Sequence, residues 1–351
     1  MSESQAHSAS AVTSRLTRAL HGLAVAASFL LLGAIVVFAQ TPQTILNVSY
    51  DVSRELYKEI NPAFAKAWHA KTGQTITINQ SHGGSSRQAL SVIGGLDADV
   101  VTMNQAPDID ILVERGGLVS KDWRKAFPFD AAPYSSTTIF IVRKGNPKGL
   151  KDWSDLVRPG LQVIVPNPKT SGNGRYTYLA AWGYGLKAKG SDAGAREFVS
   201  ALFKNVPVLD GGGRGATTTF AQRDIGDVLI TFENEFSALE KEFGEGKFEK
   251  IYPSLSVDAS APVAVVESVA NKRKTNEVAK AYLAFLFTPE AQEIIARHQF
   301  RPRDPAVLAK HAQSFPPVQT FKVEDLLGGW EKVQKVHFAD GAIYDQIMTK
   351  R

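Results

Sequence analysis

The chain has 351 residues, 44% apolar and 21% charged, with a formal net charge of +5 and no cysteine. That is an ordinary globular composition, enough for two domains or one large one, and its scattered Lys and Arg argue against a nucleic-acid partner. The lack of cysteine excludes a disulfide framework, a Cys-ligated zinc site, a thiol nucleophile and a lipoprotein anchor.

The amino end reads as a targeting segment. Arg15 and Arg18 precede an apolar run from Leu20 to Ala39, with Val37 and Ala39 at the −3 and −1 positions before Gln40. This predicts a signal peptide over residues 1–39, although the run approaches the ~20 residues of a membrane span and leaves an uncleaved anchor as the alternative.

From Ile45 the chain alternates strand and helix. Expected strands are 45–49, 75–79, 99–103, 137–143, 163–165, 206–209, 228–231 and 263–266, from their β-branched and apolar runs. Expected helices are 53–71, closed by Gly73, then 86–93, 108–115, 175–187, 192–204, 217–224 and 276–287. Pro/Gly clusters near 145–149 and 251–262 read as crossings between domains. Such alternation implies an α/β fold with mostly parallel sheets flanked by helices.

Ligands of open α/β sheets bind beyond the carboxyl ends of the strands. Four polar turns, three of them glycine-bearing, stand at such ends: Tyr50-Asp51, Ser81 to Ser85, Asn167 to Gly174, and Asp210 to Gly215. The clearest is VIVPNPKTSGNGRYTYLAAW (163–182), where a short strand delivers Ser171-Gly172-Asn173-Gly174 to a helix start. Free N–H groups and the positive end of the helix dipole suit a small anion there, while a plain N-terminal cap is the ordinary alternative for any one turn.

Several long motifs, in order, carry a resemblance. LNVSYDVSRELY (46–57), NQSHGGSSRQA (79–89), APYSSTTIFIVRKGNPK (132–148), VPNPKTSGNGRYTYLAAWGYGL (165–186), FKNVPVLDGGGRGATTTF (203–220), GDVLITFENE (226–235) and RPRD (301–304) closely resemble the periplasmic sulfate-binding proteins of bacterial ABC importers. The resemblance implies a two-lobed periplasmic binding protein with the ion buried between lobes. Lobe 1 would comprise 45–142 with 254–351, and lobe 2 would comprise 143–253. It also implies a monomer in the periplasm that feeds inner-membrane ABC permease subunits, without enzymatic activity or cofactor. The main-chain donors to the dianion would fall at Asp51, Ser85, Gly172, Asn173 and Gly213, with the Ser171 hydroxyl as a side-chain donor. Phe232 stands where well-known members carry an indole N–H.

The residues agree with this independently. Fully ionised sulfate carries no proton, so its site consists of donors, whereas hydrogen phosphate also needs an acceptor. Asp51 is the awkward member, tolerable if its N–H faces the ligand while its carboxylate caps a helix or pairs with Arg. Arg175 and Arg214 are expected to hold loop carbonyls or carboxylates rather than to touch the ion. His82 reads as a structural loop residue.

Two rivals remain. The same build can select thiosulfate, molybdate or phosphate, and Phe232, which offers an apolar wall without a donor, suits the softer terminal sulfur of thiosulfate. A dinucleotide-dependent enzyme is the remote alternative, since Gly211-x-Gly213-x-x-Ala216 satisfies the fingerprint spacing and Glu233 lies downstream. The seven histidines show no close ligand spacing, so no metal site is expected.

Overall fold

A computed structural model describes residues 43–349. The expected signal segment, residues 1–39, and its cleavage point before Gln40 lie outside the described residues.

The first unit is a strand, a helix and a strand: β1 (Gln43–Tyr50), α1 (Arg54–Thr72) and β2 (Ile76–Gly83). In α1 the apolar residues Leu56, Ile60, Phe64 and Trp68 recur every four positions, so one face is buried. Gly73 ends it in the left-handed conformation (φ 74°), its N–H donating to His69 O at 2.8 Å. Next come α2 (Ser85–Ile93), β3 (Val100–Thr102) and α3 (Pro107–Gly116). β1 pairs in parallel with both β2 and β3, and β10 (Val263–Val265) adds antiparallel to β3, giving a four-stranded sheet in the order β10-β3-β1-β2.

The second sheet is larger and mixed. Its path is β12-β9-β4-β7-β5-β6, formed by β4 (Tyr134–Arg143), β5 (Val163–Pro166), β6 (Leu209–Asp210), β7 (Val228–Phe232), β9 (Ser256–Ala261) and β12 (Thr320–Phe321), and β8 (Phe248–Ile251) and β11 (Arg301–Pro302) pair with β4 beside it. β5 is parallel to β6 and β7, so the carboxyl ends of all three face one way. β4 is antiparallel to β9 through residues 134–137 and to β7 through 138–142. Against this sheet lies α4 (Gly172–Lys189), buried on nearly every face, with Trp182 and Tyr178 fully enclosed. α5 (Asp192–Lys204) packs beside it, the Tyr178 and Phe203 rings meeting at 6.1 Å.

Departures from the sequence-based expectation have local causes. The expected strand 206–209 shrinks to Leu209–Asp210, because the N–H groups of Asn205 and Val206 turn back to Leu202 O and Phe203 O and Pro207 has none to donate. The expected helix 217–224 instead spans Gly213–Ala221 (α6), its glycine-rich start capped from elsewhere in the chain. β2 runs on through the expected loop to Gly83, placing His82 in a strand. Burial drives the His82 imidazole down to about 4, so it is neutral at pH 7, bonded through Nδ1 to Ser49 Oγ at 2.8 Å. The stretch 251–262 contains β9 rather than a plain crossing. The helix α7 (Asn234–Phe243), which FENE opens, was not expected.

Candidate anion-binding site

The two sheets turn their strand ends toward one point. In the small sheet Tyr50 is level with Gly83 and Ser49 with Thr102, so the segments after β1, β2 and β3 emerge side by side. From the large sheet come the segments after β5 and β6.

Glycines let them touch. A Cβ on Gly84 would lie 2.5 Å from Thr170 O and 2.7 Å from Gly211 O, joining the turn after β2 to those after β5 and β6. A Cβ on Gly172 would overlap Asn104 Oδ1, and one on Gly212 would overlap Asp51 Oδ2. A Cβ on Gly213 would come within 2.7 Å of Asn173 Nδ2 and 2.8 Å of Val52 Cγ1. Asp51, Ser85, Ser171, Gly172, Asn173 and Gly213 are thus drawn together from 163 positions of sequence. A cleft of about 300 Å³ opens on the Asp51 side, with Asp51, Arg214 and Glu235 in its wall and none of the other five.

Three helices start here: α2, α4 and α6. In α4, Ser171 is the cap; its Oγ accepts from Gly174 N at 3.4 Å and its carbonyl from Arg175 N at 3.0 Å. The first-turn N–H groups of Gly172 and Asn173 are not used by this cap. In α6 the Arg214 N–H donates to Asp51 Oδ2 at 3.1 Å, so the carboxylate of Asp51 caps a helix of the other sheet. Its Oδ1 accepts from Val52 N, also at 3.1 Å. Burial raises the Asp51 carboxyl above its ordinary value, and the hydrogen bond from Arg214 N works against that rise.

Both arginines have partners within the protein. Arg175 donates from Nε to Pro168 O at 2.9 Å and stacks over Phe338; burial lowers its pKa, and the charge of Asp108 opposes this. Arg214 pairs with Glu242 and lies 4.0 Å from Glu235. Phe232 is 1% exposed and packs against Tyr176, ring centres 5.9 Å apart. Its neighbour Thr231 accepts from Asn173 Nδ2 at 2.8 Å, which fixes that side chain. Glu233, the acidic residue of the dinucleotide reading, is committed to Arg301 of the RPRD motif at 2.9 Å.

Three polar residues at this meeting point were missed. Asn104 follows β3, a fifth strand end by the rule that located the other four. Glu235 is 1% exposed, accepts from Thr217 Oγ1 at 2.9 Å, and burial pushes its carboxyl up to about 7. Asp108 is buried in the first turn of α3, where Gln105 Nε2 donates to it at 2.9 Å; burial raises its pKa and the charge of Arg175 lowers it.

An α/β chain whose two sheets aim their helix starts at one point has the build of a periplasmic binding protein. The model of the bacterial extracellular solute-binding protein family matches residues 45–301, and the chain belongs to that family, whose members are solute-binding proteins rather than enzymes. The chain is 60% identical over 311 residues to the thiosulfate-binding protein of Pseudomonas aeruginosa, covering 89% of this chain and 94% of that one. It is 52% identical over 321 residues to the sulfate-binding protein of Escherichia coli, covering 91% and 97%. The structure of the sulfate-binding protein SubI from Mycobacterium tuberculosis superposes with a TM-score of 0.76 at 34% identity, covering 84% of this chain and 98% of that one. Among the described residues no helix is long and apolar enough to cross a membrane.

Proposed function

We propose that this protein is an exported receptor that captures a sulfur oxyanion, sulfate first, between two lobes and delivers it to the permease subunits of an ABC importer. The observation that carries this is the meeting of three helix starts from two sheets at one glycine-lined point, with first-turn N–H groups unused by the caps. Dianions are stabilised there without a full positive charge, while Arg214 pairs with Glu242 and Arg175 donates from Nε to Pro168 O. Direct donors are the N–H groups of Asp51, Ser85, Gly172, Asn173 and Gly213 and the Ser171 hydroxyl.

The lobes comprise 45–142 with 254–351, and 143–253. Closure is a hinge motion that brings Gly84 against Thr170 and Gly211. Residues 1–39 are removed on export, leaving a periplasmic monomer that starts at Gln40. Intact mass and sedimentation of the secreted protein test this; a chain held in the membrane, or a stable dimer, would contradict it.

A preference for thiosulfate is the second reading. Phe232 supplies a wall without a donor, and the relative at 60% identity is a thiosulfate-binding protein. Calorimetry with sulfate and thiosulfate on the same preparation separates the two.

A further inference from the structure

Asn104 is 3% exposed and lies just beyond the carboxyl end of β3. Its backbone N–H donates to Ser85 Oγ at 3.3 Å, and that hydroxyl donates in turn to Met103 Sδ at 3.6 Å. Its carboxamide meets the other sheet: a Cβ on Gly172 would overlap Oδ1 and lie 2.7 Å from Cγ and 3.0 Å from Nδ2. One residue therefore touches the turns that carry Ser85 and Gly172.

Among the described residues no hydrogen bond holds this carboxamide, and its Oδ1 is buried without a partner. Buried amides are ordinarily paired, so one left open at a binding point calls for a ligand. The contrast with Asn173 is instructive, because that side chain is anchored through Nδ2 to Thr231. Oδ1 is the carboxamide atom nearest the space that a Cβ on Gly172 would fill, so the Nδ2 arm is the one left to donate.

Resting on the reading of this site as an oxyanion receptor, we propose that Asn104 is a specificity-determining residue that donates a hydrogen bond from Nδ2 to the bound dianion. It supplies the side-chain donor that Phe232 does not offer. Sulfate accepts such a bond at every oxygen, whereas hydrogen phosphate carries one protonated oxygen that donates and so gains nothing from a donor arm.

The test is calorimetry of the mature chain against sulfate, thiosulfate and phosphate, comparing wild type, Asn104→Ala and Asn104→Asp, with thermal melting of each ligand-free protein. Asn104→Ala is expected to weaken the preferred sulfur oxyanion about tenfold, the loss of one hydrogen bond to a charged group, with its melting temperature nearly unchanged. Asn104→Asp has almost the same shape but a carboxylate. It is expected to lose about a hundredfold or more at pH 8 and to regain affinity as the pH falls toward 4, when the carboxyl takes up a proton. This pH dependence decides the matter even if the alanine variant folds poorly. Unchanged affinity in Asn104→Ala, or a pH-independent Asn104→Asp, would overturn the assignment while leaving the receptor intact. A wild type that binds neither sulfate nor thiosulfate removes the receptor reading itself, and this assignment with it.

Discussion

The carboxylate of Asp51 accepts a hydrogen bond from the backbone N–H of Arg214 at 3.1 Å, so the first turn after β1 caps a helix belonging to the other sheet. This resolves how an acidic residue can stand beside a dianion. Its charge is spent on the α6 start and on Val52 N, so the carboxylate is turned to protein donors. Replacing Asp51 with alanine removes both accepted bonds and should lower stability by roughly 1–2 kcal/mol, the usual worth of a cap, and weaken sulfate binding. Asp51→Asn, which keeps an acceptor, should lose less of both. Chemical denaturation and calorimetry check this, and an alanine variant as stable and as tight as wild type would contradict it.

Closure has its own test in Gly84. Its φ of −58° suits any residue, so only space forbids a side chain there. A Cβ would lie within 2.7 Å of two backbone carbonyl oxygens, neither of which can swing aside. Gly84→Ala should therefore fold normally but fail to close. Small-angle scattering should show the compaction that sulfate induces in wild type and none in the variant, with affinity reduced by about a hundredfold or more, as expected when several donors are lost together. Equal compaction in both proteins would refute the closed arrangement as the binding state.

Glu235 makes stability depend on pH. Its carboxyl is pushed from the usual 4.5 up to about 7 by burial, so the folded protein holds this proton more tightly than the unfolded chain. The resulting stabilisation is fully present below about 4.5 and is lost as the pH rises through about 7. Glu235→Gln has no proton to lose. Without ligand it should be more stable than wild type at pH 8, on the order of 1–3 kcal/mol, and match it near pH 5. Denaturation curves at the two pH values decide it; a variant destabilised equally at both would show that the ion pair with Arg214 matters more than burial.

Much of this was legible in the chain. The strand–turn–helix alternation exposed α1, α4 and α5: α1 and α5 have an apolar face, and the ends of the three carry Gly73, Ser171 and Ser191. The glycine turns marked the strand ends. What stayed hidden depends on contacts distant in sequence. The start of α6 was misplaced because its cap, Asp51, comes from 163 positions away. Asn104 and Asp108 sit in MNQAPDID, which has no glycine and resembles an ordinary helix entry. Glu235 acquires its raised carboxyl only through burial in the folded chain, which the hydrogen bond from Thr217 and the charge of Arg214 oppose.

The central claim is that donors meet here around an unprotonated sulfur oxyanion. Calorimetry of the mature protein with sulfate, thiosulfate and phosphate at pH 7 tests it most directly. Sulfate or thiosulfate should bind tightly in a one-to-one complex. Phosphate should bind at least tenfold more weakly, since its proton would be left unpaired in a buried site at a cost of roughly 1–3 kcal/mol. Phosphate binding as tight as that of the sulfur oxyanions, or no binding of either sulfur oxyanion, would contradict the account.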